Sequence, residues 1–393
     1  MMKKSILIAA LGLLSLNMMA QDTPKEEGFV FTTVKANPIT SVKNQNRSST
    51  CWSFSSIGFL ESELLRMGKG EYDLSEMFVV HHTMTDRAQN YVRYHGDSSF
   101  SPGGSFYDVM YCLKNYGMVP QEAMPGIMYG DTLPVHNELD AVAGAYVNAI
   151  TKMKKLSPVW KKGLCAIYDT YLGQCPESFT YQGKEYTPKS FAESLGINPD
   201  DYLSLTSFTH HPFYTQMNIE IQDNWRNGLS WNLPLTEFMS VIENAVNNGY
   251  TVAWGSDVSE DGFTRDGIAV MPDAARGAEL TGSDMAHWLG MKADDKRKEL
   301  TSRPLPEITV TQEMRQEAFD NWETTDDHGM LIYGIAKDQN GKQYYMVKNS
   351  WGTNNPHKGT WYASKPFVAY KTINVLVHKD AVPKAILKKL GVK

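Results

Sequence analysis

The 393-residue chain contains only four cysteines, Cys51, Cys112, Cys165 and Cys175. Four cannot staple a chain of this length into a disulfide scaffold, so its stability must come from a packed core. Past the first 20 residues it has no apolar run long enough to cross a membrane, which takes about 20 residues. It has no basic excess: 38 Lys and Arg stand against 44 Asp and Glu, a net charge of −6. That balance argues against a nucleic-acid partner, which needs a basic surface or stripe. It has no His-Glu-x-x-His pair, phosphate loop or dinucleotide fingerprint, so no metal or other cofactor is expected. His81-His82 and His210-His211 are adjacent pairs, not the i, i+4 pairs of a helical zinc site. Repeats and low-complexity tracts are also missing.

The strongest apolar run is short and sits at the start. Lys3 and Lys4 precede an apolar stretch from Ser5 to Leu16, and Ala20 is a plausible last residue before cleavage. The polar stretch Gln21 to Glu27 follows at once. Residues 1–20 read as a signal peptide, and the expected product is secreted or periplasmic. Its removal takes two lysines and no acid, moving the net charge from −6 to −8. No cysteine lies near the cleavage point, so no membrane anchor is expected there.

The remainder divides by hydrophobic period. Phe54, Ile57, Leu60 and Leu64 recur at helical spacing after Ser49 and Thr50, either of which can cap a helix. Further helices are expected from Ser75 to about Arg93, from Phe106 to Tyr116, and from Thr236 to Asn247. Strand patterns follow at 250–254, 330–335, 344–347, 360–362 and 372–377. The division expected is 21–120 as a helical half, 121–240 as a mostly helical insertion and 241–393 as a strand-rich half.

Three short motifs carry the chemistry. Gln45 stands six residues before Cys51, which is followed by Trp52-Ser53-Phe54; Asp327-His328-Gly329 and Lys348-Asn349-Ser350-Trp351-Gly352 come far downstream. A lone Cys beside Trp and Phe is usually core, and lone His-Gly or Asn-Ser pairs mean little. Their joint occurrence in this order makes chance a poor account. Together they supply a thiol nucleophile (Cys51), a base (His328), a group to orient the base (Asn349) and an oxyanion donor (Gln45).

These residues resemble those of the papain-like cysteine peptidases, and within them the bleomycin hydrolase and aminopeptidase C branch. The resemblance runs in patches from Val42 to near Leu387, including Gly103-Gly104, Gly255-Ser256-Asp257-Val258 and Val382-Pro383. Cys51 and His328 are 277 residues apart, against about 130–150 in papain-type enzymes, which leaves room for a domain-sized insertion and fits that branch. The resemblance implies an α+β, papain-like fold: a helical half carrying the Cys, a β-barrel-like half carrying His and Asn, and an inserted, mostly helical region. It implies a Cys51 thiolate resting against protonated His328 at a helix start. It implies Trp351 shielding the His328–Asn349 bond, and Gly103 and Gly104 lying against substrate backbone. Asp327, with Asp326, either holds the imidazolium, senses a substrate amine or is simply solvated.

The function implied is an exported cysteine peptidase acting on peptide substrates, with aminopeptidase action ranked first. An endopeptidase with an open cleft is the alternative, because the sequence stops at Lys393 without the tryptophan-containing C-terminal arm of that branch. A silent papain-like binding protein and another acyl transfer are the remaining readings. Homo-oligomers occur in the branch. Cys165 and Cys175 are close enough in sequence to pair, whereas Cys112 reads as a buried thiol.

Overall fold

The computed structural model of the protein describes residues 28–273 and 292–392; the expected signal segment, 1–20, lies outside them. The chain enters as strand β1 (Thr32–Ala36) and then forms three helices: α1 (Cys51–Arg66), α2 (Glu76–Arg93) and α3 (Phe106–Asn115). Sequence explains their starts. The Ser75 hydroxyl accepts from Phe78 N at 3.1 Å, and Ser105 with Asp108 forms a capping box on α3. At α1 the expected cap does not form. The Thr50 hydroxyl pairs with Ser48 Oγ at 2.6 Å instead, and Ser49 adopts a left-handed φ of 56°. No side chain therefore caps the first turn of α1, where Ser53 N donates to the Thr50 carbonyl at 2.9 Å.

The stretch 121–240 begins as helices α4 (Asn137–Thr151), α5 (Trp160–Leu172) and α6 (Pro188–Leu195), with a small hairpin of β2 (Phe179–Tyr181) and β3 (Lys184–Tyr186). It then turns to strands: β4 (Tyr202–Thr206), β5 (Gln216–Asn218) and β6 (Leu229–Asn232) precede α7 (Leu235–Asn247). Strands of three to five residues give too short a window for a period to show.

The back of the chain supplies β7 (Val252–Ser256), β8 (Ile268–Ala269), β9 (His328–Lys337), β10 (Gln343–Lys348), β11 (Thr360–Ser364) and β12 (Thr372–His378). One sheet joins them in the order β5-β6-β4-β12-β7-β9-β10-β11-β8, with β1 also on β9. It runs antiparallel except at β4–β6 and β11–β8. Its two ends do not pair, so the β-barrel-like half expected from the resemblance is, among the described residues, an open sheet. Strands from both the middle and the back of the chain build it.

The central strands are covered on both faces. Ala253, Leu331 and Leu376 face the core built by α1, α2 and α3. Their neighbours Val252, Trp254, Met330, Ile332, Val375 and Val377 face α7, against Phe238, Val241 and Ile242. This is the two-residue alternation of a strand, read as a continuous apolar run because both faces are dry. Layering fixes α1 against β7 and β9, and so brings Cys51 to the start of β9.

Candidate active site

Cys51 is the first residue of α1, half-buried, where the helix presents unsatisfied N–H groups and a partial positive charge. Across from it β9 opens with His328-Gly329. A β-carbon on Gly329 would stand 3.3 Å from Trp52 Cα and 3.4 Å from the Cys51 carbonyl. The backbones of α1 and β9 thus touch where the two motifs meet, 277 positions apart.

His328 is buried, and its Nε2 lies 2.8 Å from Asn349 Oδ1. An amide oxygen only accepts, so the imidazole must carry its proton on Nε2. Nδ1 is then the nitrogen left to exchange a proton with the thiol. The same Asn349 oxygen accepts from Ser350 N at 2.7 Å. Trp351 covers the pair, with its ring centroid 4.7 Å from that of His328, and Phe263 and Trp361 pack edge-on to Trp351. The indole excludes water from the His328–Asn349 bond but does not line the cleft.

Gln45 is bound to the same segment. Its backbone N–H donates to the Ser350 carbonyl at 2.8 Å, and Ser350 Oγ donates to Gln45 Oε1 at 2.6 Å. With the oxygen anchored, the NH₂ end of the amide is the free one. The turn between Gln45 and Cys51 is tied to the chain at Pro134: Asn46 Nδ2 and Arg47 N both donate to its carbonyl, at 3.1 and 3.2 Å.

Electrostatics depart from the resting thiolate expected from sequence. Burial pushes the Cys51 thiol up to about 12, and the carboxylates of Asp326 and Asp223 push the same way. The backbone amides of Gly329 and Trp52 pull it down. Burial drives the His328 imidazole down to about 4, against the pull of Asn349 and Asp327. Burial thus works against charge on both groups, while the backbone amides of Gly329 and Trp52 at the thiol and Asn349 and Asp327 at the imidazole work for it. Burial is the main cause at both groups; at Cys51 an acidic wall of Asp326 and Asp223, which sequence did not place beside the cysteine, adds to it.

That wall belongs to a cleft of about 630 Å³ lined by Cys51, Trp52, Gly104, His328, Asp223 and Asp326, among others. Asp223 lies on the loop between β5 and β6. Asp326, half-buried, hydrogen-bonds no described residue; burial, then Asp223 and Asp327, raise its carboxyl to about 7. Asp327 is committed elsewhere. Its Oδ2 accepts from Val258 N and Ser259 N, and its Oδ1 from Thr325 Oγ1. Burial raises its carboxyl, but the hydrogen bonds from Asp257 and Thr325 outweigh that and hold it low. It braces a turn, although its edge reaches the cleft.

The two glycines separate as well. Gly104 lines the cleft against Trp52, whereas Gly103 lies under Asp223. Asp223 is the residue that sequence reading missed. Its only local signal is the turn-rich run Asn224 to Gly228, within a stretch read as mostly helical.

Other sequence candidates fall outside the cleft. All four cysteines are free thiols, so the pairing considered for Cys165 and Cys175 is not formed. His81 Nε2 meets Asp169 at 2.8 Å, and His82 stacks on Tyr116. His210 and His211, set aside on spacing, both meet the Glu220 carboxylate, at 3.0 and 2.8 Å, near the surface. Among the described residues no helix is long and apolar enough to cross a membrane.

Comparison with known proteins agrees with this layout. The sequence matches the Peptidase C1-like family over residues 69–285 and 304–393, a span that includes His328 and Asn349. It is 22% identical over 388 residues to aminopeptidase G of Lactobacillus delbrueckii subsp. lactis, covering 88% of this chain and 83% of that one. It is likewise 22% identical over 390 residues to aminopeptidase C of Listeria monocytogenes, covering 88% and 82%. The crystal structure of PepW from Lactobacillus rhamnosis superposes with a TM-score of 0.67 at 20% identity, over 92% of this chain and 84% of that one. The chain belongs to the Peptidase C1-like family, in its papain-like aminopeptidase C group, and is a cysteine-type peptidase.

Proposed function

We propose that the protein is an exported aminopeptidase that hydrolyses peptide bonds through Cys51, His328 and Asn349. One observation carries this reading: the 2.8 Å His328–Asn349 bond, which leaves Nδ1 for the thiol at the head of α1 in a shared cleft. Export rests on the signal pattern of residues 1–20.

The geometry sets the order of steps. His328 Nδ1 takes the Cys51 proton as the sulfur attacks the substrate carbonyl carbon. The tetrahedral oxyanion is received by the Cys51 backbone N–H and the free NH₂ end of Gln45. The imidazolium, held by Asn349, gives its proton to the leaving amine, and the C–N bond breaks. Water then enters, His328 takes its proton, and the hydroxide displaces the thiolate from the acyl group. Cys51 recovers its proton from His328.

The test is a digest of one peptide, free or acetylated at its N-terminus, by the mature protein and by Cys51→Ala. The expected result is stepwise shortening of the free peptide by the wild type and no cleavage by the variant. Internal cleavage of both peptides at equal rates would favour the endopeptidase reading. No cleavage of either would favour a silent binding protein.

A further inference from the structure

An aminopeptidase must recognise an α-ammonium group, and that cation sits within about one residue's length of the carbonyl under attack. An anion must therefore stand in the cleft beside the nucleophile, held so that it does not collapse onto a nearer cation. The residues at the chain's last described helix do not supply it. Ile386 and Leu390 pack into the core under α7, and no residue of 384–392 lines the cleft.

Asp223 meets the requirement. Arg87 on α2 is fully buried and clamps two loops at once. Its Nε and Nη2 donate to Ser99 O and Oγ, and its Nη1 donates to Gly103 O at 2.6 Å. Nη2 also donates to Gln222 O, and Nη1 to Asp223 Oδ1 at 3.1 Å. Ser101 Oγ reaches the same Asp223 oxygen at 3.3 Å. The other oxygen, Oδ2, takes no hydrogen bond from a described residue and rests on Gly103, 1.8 Å from where a β-carbon would be. Any side chain at position 103 would expel the carboxylate. Asp326, which has no hydrogen-bond partner among the described residues, lines the same cleft. It is close enough for Asp223 to raise its carboxyl and for both carboxylates to act on Cys51. Arg87 compensates Asp223 through one oxygen only, and Asp326 has no hydrogen-bond partner among the described residues, so the cleft lining holds two carboxylates against one buried cation. A cation between them relieves the repulsion.

We propose that Asp223, seated on Gly103 and sharing the cleft with Asp326, receives the α-ammonium group of the substrate and makes this cleft selective for peptides with a free N-terminus. The inference rests on the aminopeptidase reading above and assigns its specificity to a loop of the middle region. Bound ammonium also cancels the negative field at Cys51, so the correct substrate eases the proton transfer that starts its own hydrolysis.

The experiment measures kcat/KM for one peptide with a free or acetylated N-terminus, using wild type, Asp223→Asn and Asp326→Asn. Asp326→Asn breaks no hydrogen bond, and the amide introduced by Asp223→Asn would keep an oxygen for Arg87, so folding is retained in at least one variant. The free-amine preference should fall at least about tenfold in each, equivalent to about 1.4 kcal/mol. The loss should lie mainly in KM for the free peptide. A preference unchanged within about twofold in both variants overturns the proposal, as does an equal loss on both peptides, which a merely structural role would give. A wild type without free-amine preference removes the aminopeptidase reading itself, whereas a selective wild type with selective variants removes only the role of Asp223 and Asp326.

Discussion

Replacing Asn349 with alanine takes away one oxygen that serves two buried donors, His328 Nε2–H at 2.8 Å and Ser350 N–H at 2.7 Å. Asn349 is 2% exposed and Trp351 roofs the site, so water cannot easily take its place. Each stranded donor costs about 1–3 kcal/mol, so the variant should lose about 2–6 kcal/mol of stability, read as a lower urea midpoint at unchanged slope. Catalysis suffers separately. Without the Oδ1 acceptor the imidazole is free to carry its proton on Nδ1, where it cannot accept one from the thiol. The expected drop in kcat is about 10²-fold, within the range that general base catalysis contributes, with KM little changed because the bond acts on the transition state. His328→Ala should be worse, since it removes the proton acceptor itself. Stability within about 0.5 kcal/mol of wild type, together with a kcat within about threefold, would refute the role given to Asn349. So would a loss as complete as that of His328→Ala in a folded variant.

Three further outcomes follow from the same geometry. Lys43 Nζ binds Glu76 at 2.6 Å and Glu61 at 3.2 Å behind the site, where both acids are buried. Lys43→Met should therefore cost about 3–5 kcal/mol, the usual result of stranding a buried charge, as measured by denaturation. Asp326 titrates near 7 because burial, Asp223 and Asp327 raise it. Ammonium binding needs it ionised, so kcat/KM on free-amine peptides should fall as pH drops through about 7. Asp326→Asn or an acetylated substrate should move that acid limb downward, and an unmoved limb would assign it to another group. Gln45→Ala should lower kcat by about 10²–10³-fold, the typical loss of one oxyanion donor, while Cys51 still reacts with small alkylating agents. A variant with unchanged kcat would place the oxyanion elsewhere.

Much of the site was legible because its chemistry sits in contiguous motifs. Gln45 and Cys51 share one turn, and Asn349, Ser350 and Trp351 are consecutive, so local geometry follows from adjacent letters. The helices α1, α2 and α3 were readable for a similar reason, since 10–18 residues show several turns of a 3.6 period. The strands β4, β5 and β6 were not, because three to five residues cannot distinguish a strand from a loop, and their joining to the sheet, through β4 on β12, is fixed by tertiary contact. Asp223 was illegible in a deeper sense. An aspartate in a turn-rich loop is ordinarily solvated, and only Arg87, 136 positions away, turns it onto Gly103. The surroundings of Cys51 were half-legible for the same reason: the helix start was visible in the sequence, but the burial of the thiol and the acidic wall beside it were not.

The central claim, that Cys51 is the nucleophile, is tested most directly by an epoxide-type thiol inhibitor followed by mass mapping. One equivalent should attach to Cys51, abolish peptide hydrolysis in proportion to labelling, and be excluded by a free-amine substrate. Inactivation with the label on Cys112, Cys165 or Cys175, or full labelling of Cys51 with activity retained, would contradict it.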